Sequence, residues 1–331
     1  MIDSKETPVL LILFNRVSIS NELLKSLREV KPQTIYIFFD GPRNQQKHSD
    51  QSSIKLIEQD INEIIDWECD LFIKRNKNNV GSHVGPKQAI DWLFSKEERG
   101  IILEDDCIPN NSFFEYCSVL LDRYSEDDRV FMISGDNGGP IINKDFFNKN
   151  SYLFTKVPLT WGWATWKNRW ENFDGDLSLW NQPFRKIRKL FDGYSLFESY
   201  LLYKMLNRVS SREEKNWDYM LYSTMIKNKY LSIIPRLNLI KNIGWGDEAT
   251  HTKKRNFRSD AKTFQLTNLS DFNDDDNTYN TDVRISYAVH FGINDKQIYP
   301  NVLLLTRIIY VSKRAIYWSN VILKNLFKLR N

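Results

Sequence analysis

Two near-continuous apolar runs, Val9-Leu10-Leu11-Ile12-Leu13-Phe14 and Thr34-Ile35-Tyr36-Ile37-Phe38-Phe39, constrain the fold of this chain more than any other feature. A strand with one wet face alternates apolar and polar residues. A strand apolar at almost every position is buried on both faces, the pattern of a parallel sheet covered by helices on either side. Leu23, Leu24 and Leu27 fall at helical spacing after the first run, with Ser20 expected as cap and Lys31-Pro32 as stop. A second helix is expected around residues 54–65, a shorter strand over 70–74, a helix opened by Gly81 and Gly85 that runs to Phe94, and a fourth strand over 100–103. This βαβα order predicts an α/β fold on a doubly wound, mostly parallel, Rossmann-like sheet with right-handed crossovers.

The second half loses the clear alternation. Residues 110–124 read as a helix, 129–134 as a short strand and 135–143 as a loop rich in Gly and Asn. Trp161, Trp163, Trp166 and Trp170 then bring a large apolar area with polar N–H handles. Core packing is the expectation for at least two of them, Gly162 fits a close backbone approach, and an indole lining a pocket could stack on a sugar ring. Residues 184–215 read as a basic-amphipathic helix with a solvated face. Trp217-Asp218-Tyr219 opens another helix, and 230–235 is a further strand. The loop 244–258 carries Gly244, Gly246, His251 and the run Lys253-Lys254-Arg255; the acidic stretch 271–276 reads as a solvated loop.

At 331 residues, 41% hydrophobic and 14% aromatic, the chain is globular and can bury a large core. Cys69, Cys107 and Cys117 lack CxxC spacing, so reduced thiols are expected rather than disulfides or a zinc ribbon. No run of 18 uncharged apolar residues predicts a membrane span. Six of the 46 basic residues and none of the 42 acidic ones lie in 301–331, which leaves the main body near neutral and argues against a nucleic-acid partner. On a helical projection Arg307, Lys313, Arg314, Lys324 and Lys328 share one face and Leu305, Ile308, Ile316 and Leu323 the other. That tail suits an interfacial helix on an anionic membrane, or an amphipathic helix packed on protein.

In open sheets of this class, ligands bind beyond the carboxyl ends of the strands. Three polar clusters fall there: Asn15-Arg16, Asp40-Gly41-Pro42-Arg43 and Glu104-Asp105-Asp106. Three adjacent acids repel one another unless a cation or ligand offsets them. Carboxylates at a strand end are hard oxygen ligands for Mn²⁺ or Mg²⁺, ions that bridge to substrate phosphates and neutralise a departing diphosphate. This points to a nucleotide-sugar enzyme. The alternative readings are a plain turn at Asp40 and an acidic helix start at Asp105 or Asp106.

The order of these motifs resembles the inverting GT-A glycosyltransferases of the N-acetylglucosaminyltransferase I type, over residues 8–251. The resemblance implies that Arg16 meets the nucleotide, that Asp40 approaches the uracil, and that Glu104-Asp105-Asp106, continued by Phe113-Phe114-Glu115-Tyr116, is the family's version of the DxD motif, with Asp106 on the manganese. Trp161-Gly162-Trp163 resembles the Gly-Trp segment before the acceptor site. Trp217-Asp218 resembles a Trp-Asp pair whose aspartate is the catalytic base, a carboxylate that inversion in one displacement requires. Its alternative is a helix-start carboxylate favoured by the macrodipole. Lys87 falls where the family has a basic residue, while Gly85 stands in place of a histidine, with His83 out of register.

The sequence reading is therefore a GT-A domain over 1–300, with a nucleotide-binding half at 1–135 and an acceptor and catalytic half at 136–300, followed by the amphipathic tail 301–331. The expected function is an inverting, metal-dependent glycosyltransferase of cell-surface polysaccharide or lipopolysaccharide synthesis. Arg16, Asp40, Lys87, Glu104, Asp105 and His251 are expected on the donor, a UDP-sugar with UDP-N-acetylglucosamine the one implied by resemblance. Asp106 is expected on the metal and Asp218 as base. Trp161, Trp163 and Trp217 are expected at the glycan or lipid-linked glycan acceptor. The expected location is cytoplasmic and peripheral on the inner face of the plasma membrane. The rivals are a sugar nucleotidylyltransferase, which needs a Gly-rich loop that residues 15–21 lack, and a non-catalytic glycan-binding or membrane scaffold module.

Overall fold

The apolar runs become neighbouring parallel strands. In the computed structural model, which describes residues 3–138, 151–194, 196–211, 216–245 and 262–263, β1 (Val9–Leu13) pairs β2 (Thr34–Phe39) from Val9↔Ile35 to Leu13↔Phe39. Between them lies α1 (Val17–Ser26), and α2 (Lys47–Ile64) leads on to β3 (Asp70–Arg75). Then come α3 (Gly85–Phe94), β4 (Arg99–Glu104), β5 (Cys107–Pro109), α4 (Asn111–Arg123) and β6 (Val130–Ser134). Later elements are β7 (Tyr152–Thr155), β8 (Trp163–Trp166), α5 (Lys167–Trp170), α6 (Phe184–Ile187), α7 (Leu196–Ser210), α8 (Trp217–Asn228), β9 (Leu231–Pro235) and β10 (Ile240–Asn242).

Eight strands form one sheet in the order β3-β2-β1-β4-β8-β6-β9-β7, and β10 pairs β5 separately. The first four are parallel, as expected. The chain winds outward from β1 through β2 to β3, then returns to place β4 on the other side of β1. The gap beyond the ends of β1 and β4 is thus a topological switch point, where ligands bind in sheets of this type. The helices cover both faces, so the α/β class and mostly parallel sheet expected from the sequence are present.

Alternate residues of β1 explain the two-sided burial. Val9, Leu11 and Leu13 join a core with Leu23 and Leu24 of α1, Leu27 just after it, and Ile57, Ile61 and Ile64 of α2, whereas Leu10 packs with Ala89, Ile90 and Leu93 of α3. Burying one such side chain fully contributes about 1.5–3 kcal/mol relative to leaving it exposed. A third cluster, with Leu177, Trp180, Phe191, Leu202 and Leu206, gathers beside β7 and β9.

Several local expectations change. The first helix starts at Val17 with Arg16 in the capping position, so Ser20 is a buried residue inside it and no cap. The segment 184–215 is not one solvated helix: α6 and α7 are separate, and Ile187, Leu202, Leu206 and Val209 are buried. The tryptophan segment contains β8, which runs antiparallel between β4 and β6. Asn110 caps α4, its Oδ1 accepting the Phe113 N–H at 3.2 Å, so Asp105 and Asp106 are not that helix's start. All three cysteines are free, two of them buried. No helix among the described residues is long and apolar enough to cross a membrane. His251, the run 253–255 and the tail 301–331 lie outside the described residues.

Gly162 enters β8 at φ +63°, and a Cβ there would lie 2.5 Å from Ile240 Cδ1. Gly162→Ala combines left-handed strain with overpacking and is expected to lower stability by about 1–3 kcal/mol. Urea denaturation of the variant and wild type checks this.

Candidate active site

The connection from β1 to α1 is only Phe14-Asn15-Arg16, so Arg16 is delivered directly above the switch point. There its Nε donates to Asp105 Oδ2 at 2.9 Å, and its Nη2 donates to Asp105 Oδ1 and, at 3.0 Å, to Asp106 Oδ2. Two-pronged contacts of this kind are among the strongest charged hydrogen bonds. Burial works against the Arg16 charge, but the two carboxylates outweigh it and hold its pKa above the ordinary value. Asp105 is set by the sheet itself, since its N–H donates to the Ile12 carbonyl at 3.1 Å.

Asp106 is gripped from the other side by the end of β10 and the residues that follow it. Asn242 Nδ2 donates to Asp106 Oδ1 at 3.1 Å, and the Ile243 N–H donates to its carbonyl at 2.9 Å. A Cβ on Gly244 would come within 2.0 Å of Asp106 Oδ2, so the backbone lies directly against the carboxylate. Trp245 closes the corner edge-on to Trp161, at 5.7 Å between rings, and its indole donates to the Asn242 carbonyl. The Cys107 thiol is pushed well up by burial and by Asp106, and stays protonated.

Glu104 carries the electrostatic tension. Burial first, then the charges of Asp106, Asp105 and Asp218, push its carboxyl up to about 8, opposed by a hydrogen bond from the Trp217 indole. Three carboxylates thus act on Glu104, beside the Arg16 guanidinium that pairs two of them. Asp218 is brought here from the first turn of α8, where its Oδ1 also accepts the Tyr219 N–H at 2.9 Å. The helix-start role is therefore realised, and the charge of Asp218 also acts on Glu104.

The residues fit a divalent cation in one respect: the crowding of carboxyls at Asp106 and Glu104, which pushes the Glu104 carboxyl up, is what a cation would relieve. Among the described residues no group of three or more His, Cys, Asp or Glu side chains converges on one metal position. One or two carboxylates with waters and substrate phosphates are the usual Mg²⁺ arrangement.

The remaining sequence candidates divide. Asp40 accepts N–H groups from Gly41, Val80 and Gly81 and the amide of Asn79, so it organises the loop after β3 beside the site. Lys87 is exposed and pairs with Asp91 of its own helix at 2.6 Å. Trp163, 1% exposed, and Trp217, 5% exposed, stack at 5.9 Å inside the core, which leaves Trp161 as the indole of the three with open surface.

Asp50 escaped the sequence reading. Although 1% exposed, it accepts from Asn15 Nδ2 at 2.8 Å and from Arg43 through N, Nε and Nη2 at 2.8–2.9 Å. It thereby ties the loops after β1 and β2 together. Asn242 and Gly244 were equally silent as partners of Asp106. The only signal for Asp50 was one acid in the polar first turn of an amphipathic helix.

No protein-family profile and no curated protein matches the sequence. Among solved structures, a mannosyltransferase from Pyrobaculum calidifontis, in complex with GDP-Man and Mn²⁺, is 10% identical, over 68% of this chain and 72% of that one, with a TM-score of 0.35. A 4-diphosphocytidyl-2C-methyl-D-erythritol synthase from Anaerococcus prevotii is 10% identical over 70% and 88%, TM-score 0.34. Mouse xyloside xylosyltransferase 1 is 10% identical over 67% and 82%, TM-score 0.31. Likeness this distant does not separate sugar transfer from nucleotidyl transfer.

The Arg43 hydrogen bonds, with that of Asn15, hold the Asp50 carboxyl down at about 2, against an ordinary value of about 3.9. A lowered carboxyl contributes stability that is complete above the unfolded value and lost as pH falls through the folded one. Asp50→Asn is expected to cost on the order of 1–2 kcal/mol at pH 7, with Arg43 half-exposed and screened. Urea titrations from pH 6 to pH 3 should show the gap to wild type narrowing at the acid end.

Proposed function

We propose that this chain is an inverting GT-A glycosyltransferase that moves a sugar from a nucleotide-diphosphate donor to a glycan hydroxyl. The observation that carries the reading is that the start of α8 reaches the acidic corner at the switch point of the sheet: the Trp217 indole hydrogen-bonds Glu104 and the charge of Asp218 acts on the same carboxyl. An acid–base carboxylate beside a diphosphate-binding corner is what a single displacement at an anomeric carbon needs.

Each residue then has a task. Arg16, oriented by Asp105, faces the diphosphate, and Asp40 with its loop forms the nucleotide side. Asp106 would hold a divalent cation, which when bound neutralises charge on the leaving diphosphate. Asp218 accepts the proton of the acceptor hydroxyl as its oxygen bonds to the anomeric carbon. The bond from that carbon to the diphosphate oxygen breaks, and the electron pair leaves with the nucleotide. Attack opposite the leaving group inverts the centre. The Trp161 indole offers an apolar face to the acceptor sugar.

The short β1–α1 connection favours this over a nucleotidylyltransferase, because Phe14-Asn15-Arg16 leaves no Gly-rich loop to wrap a triphosphate. UDP-N-acetylglucosamine is the first donor to try. The two-part division of residues 1–300, donor contact through His251, and membrane contact through 301–331 at the cytoplasmic face belong to the same proposal.

Asp218→Asn should lower turnover about 10²- to 10⁴-fold while leaving the thermal shift by UDP with Mn²⁺ intact. Asp106→Asn should lose the Mn²⁺-dependent part of that shift. The readouts are UDP release from a panel of UDP-sugars and a thermal melt; wild-type turnover in both variants would sink the assignment.

A further inference from the structure

On the α3 side of the sheet, helix α3 packs over β1 and β4, and the outer strand β3 is left partly open. Tyr36 of β2 lies between Phe72 of β3, stacked at 4.9 Å, and Trp92 of α3, edge-on at 5.1 Å. Phe72 is 45% exposed. Beside this row runs an open groove of about 410 Å³, lined by Lys74, Asn76, Gln88, Asp91, Trp92 and Ser95. Its volume falls within the range of about 300–1,000 Å³ usual for small-molecule sites.

We propose that this groove between α3 and the edge strand β3 binds an oligosaccharide. Sugars present one apolar C–H face and a rim of hydroxyls, and the lining matches both. Trp92 supplies an aromatic surface, over which the Lys74 ammonium now sits at 5.7 Å on a flexible stem. Gln88 and Lys74 supply donors for hydroxyls, and Asn76 Oδ1, the Ser95 hydroxyl oxygen, whose proton goes to the Trp92 carbonyl, and Asp91, whose oxygens also accept from Lys87 and the Trp170 indole, supply acceptors. Asn76 Nδ2 donates to Gln88 Oε1 at 2.9 Å, which orients the Gln88 amide and leaves its NH₂ without a partner among the described residues. Aliphatic side chains, which a protein partner would bury, are missing from the lining. The open edge of β3 carries the exposed charges Asp70, Lys74 and Arg75, which oppose addition of another strand.

The groove is distinct from the acidic corner but connected to its nucleotide side, because Asn76 Nδ2 also reaches Asp40 Oδ1 at 3.3 Å. A saccharide lying along α3 would leave the groove beside Asp40. The inference depends on the groove's own chemistry and stands whether or not the chain transfers sugars.

Saturation-transfer NMR on the full chain with chitotriose, cellotriose and maltotriose tests it. At least one should give signals from its C–H protons. Gln88→Ala and Lys74→Ala should each weaken binding about three- to tenfold, the loss of roughly one hydrogen bond, and Trp92→Ala should abolish it, all with unchanged circular dichroism. No signal from any of the three sugars overturns the proposal, as does unchanged affinity in Gln88→Ala and Lys74→Ala, surface changes that do not threaten folding. Binding lost in Asp106→Asn but kept in those two variants would place the sugar at the acidic corner and overturn it equally. The shift by UDP reports on the donor reading separately.

Discussion

The guanidinium of Arg16 joins the two strands on which everything else hangs. It projects from the end of β1 and grips the carboxylates that follow β4, so it bridges the switch point that the sheet order creates. Without a cation there, Asp105 and Asp106 would face each other and Glu104 in a poorly solvated corner, a placement that costs several kcal/mol per uncompensated charge. The pairing also orders the donors of Arg16 before any ligand arrives, which reduces the entropy lost on binding.

Around this bridge the site is built from segments far apart in sequence. Asp50 of α2 clamps the β1 and β2 loops through Asn15 and Arg43. Asp40 holds the loop after β3. Asn242 and the side-chain-free Gly244 close on Asp106, and α8 sends Asp218 toward Glu104. Burial first, and then the neighbouring carboxylates, push the Glu104 carboxyl up out of the usual acid range.

How much of this could be read in advance differs by element. β1, β2 and β4 were legible because burial on both faces leaves an unbroken apolar run. β8 was not. It is four residues long, and Trp163-Ala164-Thr165-Trp166 reads as aromatic core; its strand character comes from pairing with β4, some sixty residues earlier. The same long reach hides partners. Asp50 looks like a solvated helix acid until Arg43 and Asn15 fold over it, and Trp217 reads as pocket wall until Trp163 stacks on it.

By itself the sequence determined the strand runs, the α/β class and the placing of Arg16, Asp40 and the acidic triplet at strand ends, because these follow from local periodicity and from the direction of parallel strands. Only the tertiary structure decided which of those groups touch. It paired Arg16 with Asp105 and Asp106, set Asp218 beside Glu104, sent Trp163 and Trp217 inward and opened the groove along α3. Such outcomes depend on strand order and on helix packing across the sheet, and neither leaves a mark on the spacing of residues along the chain.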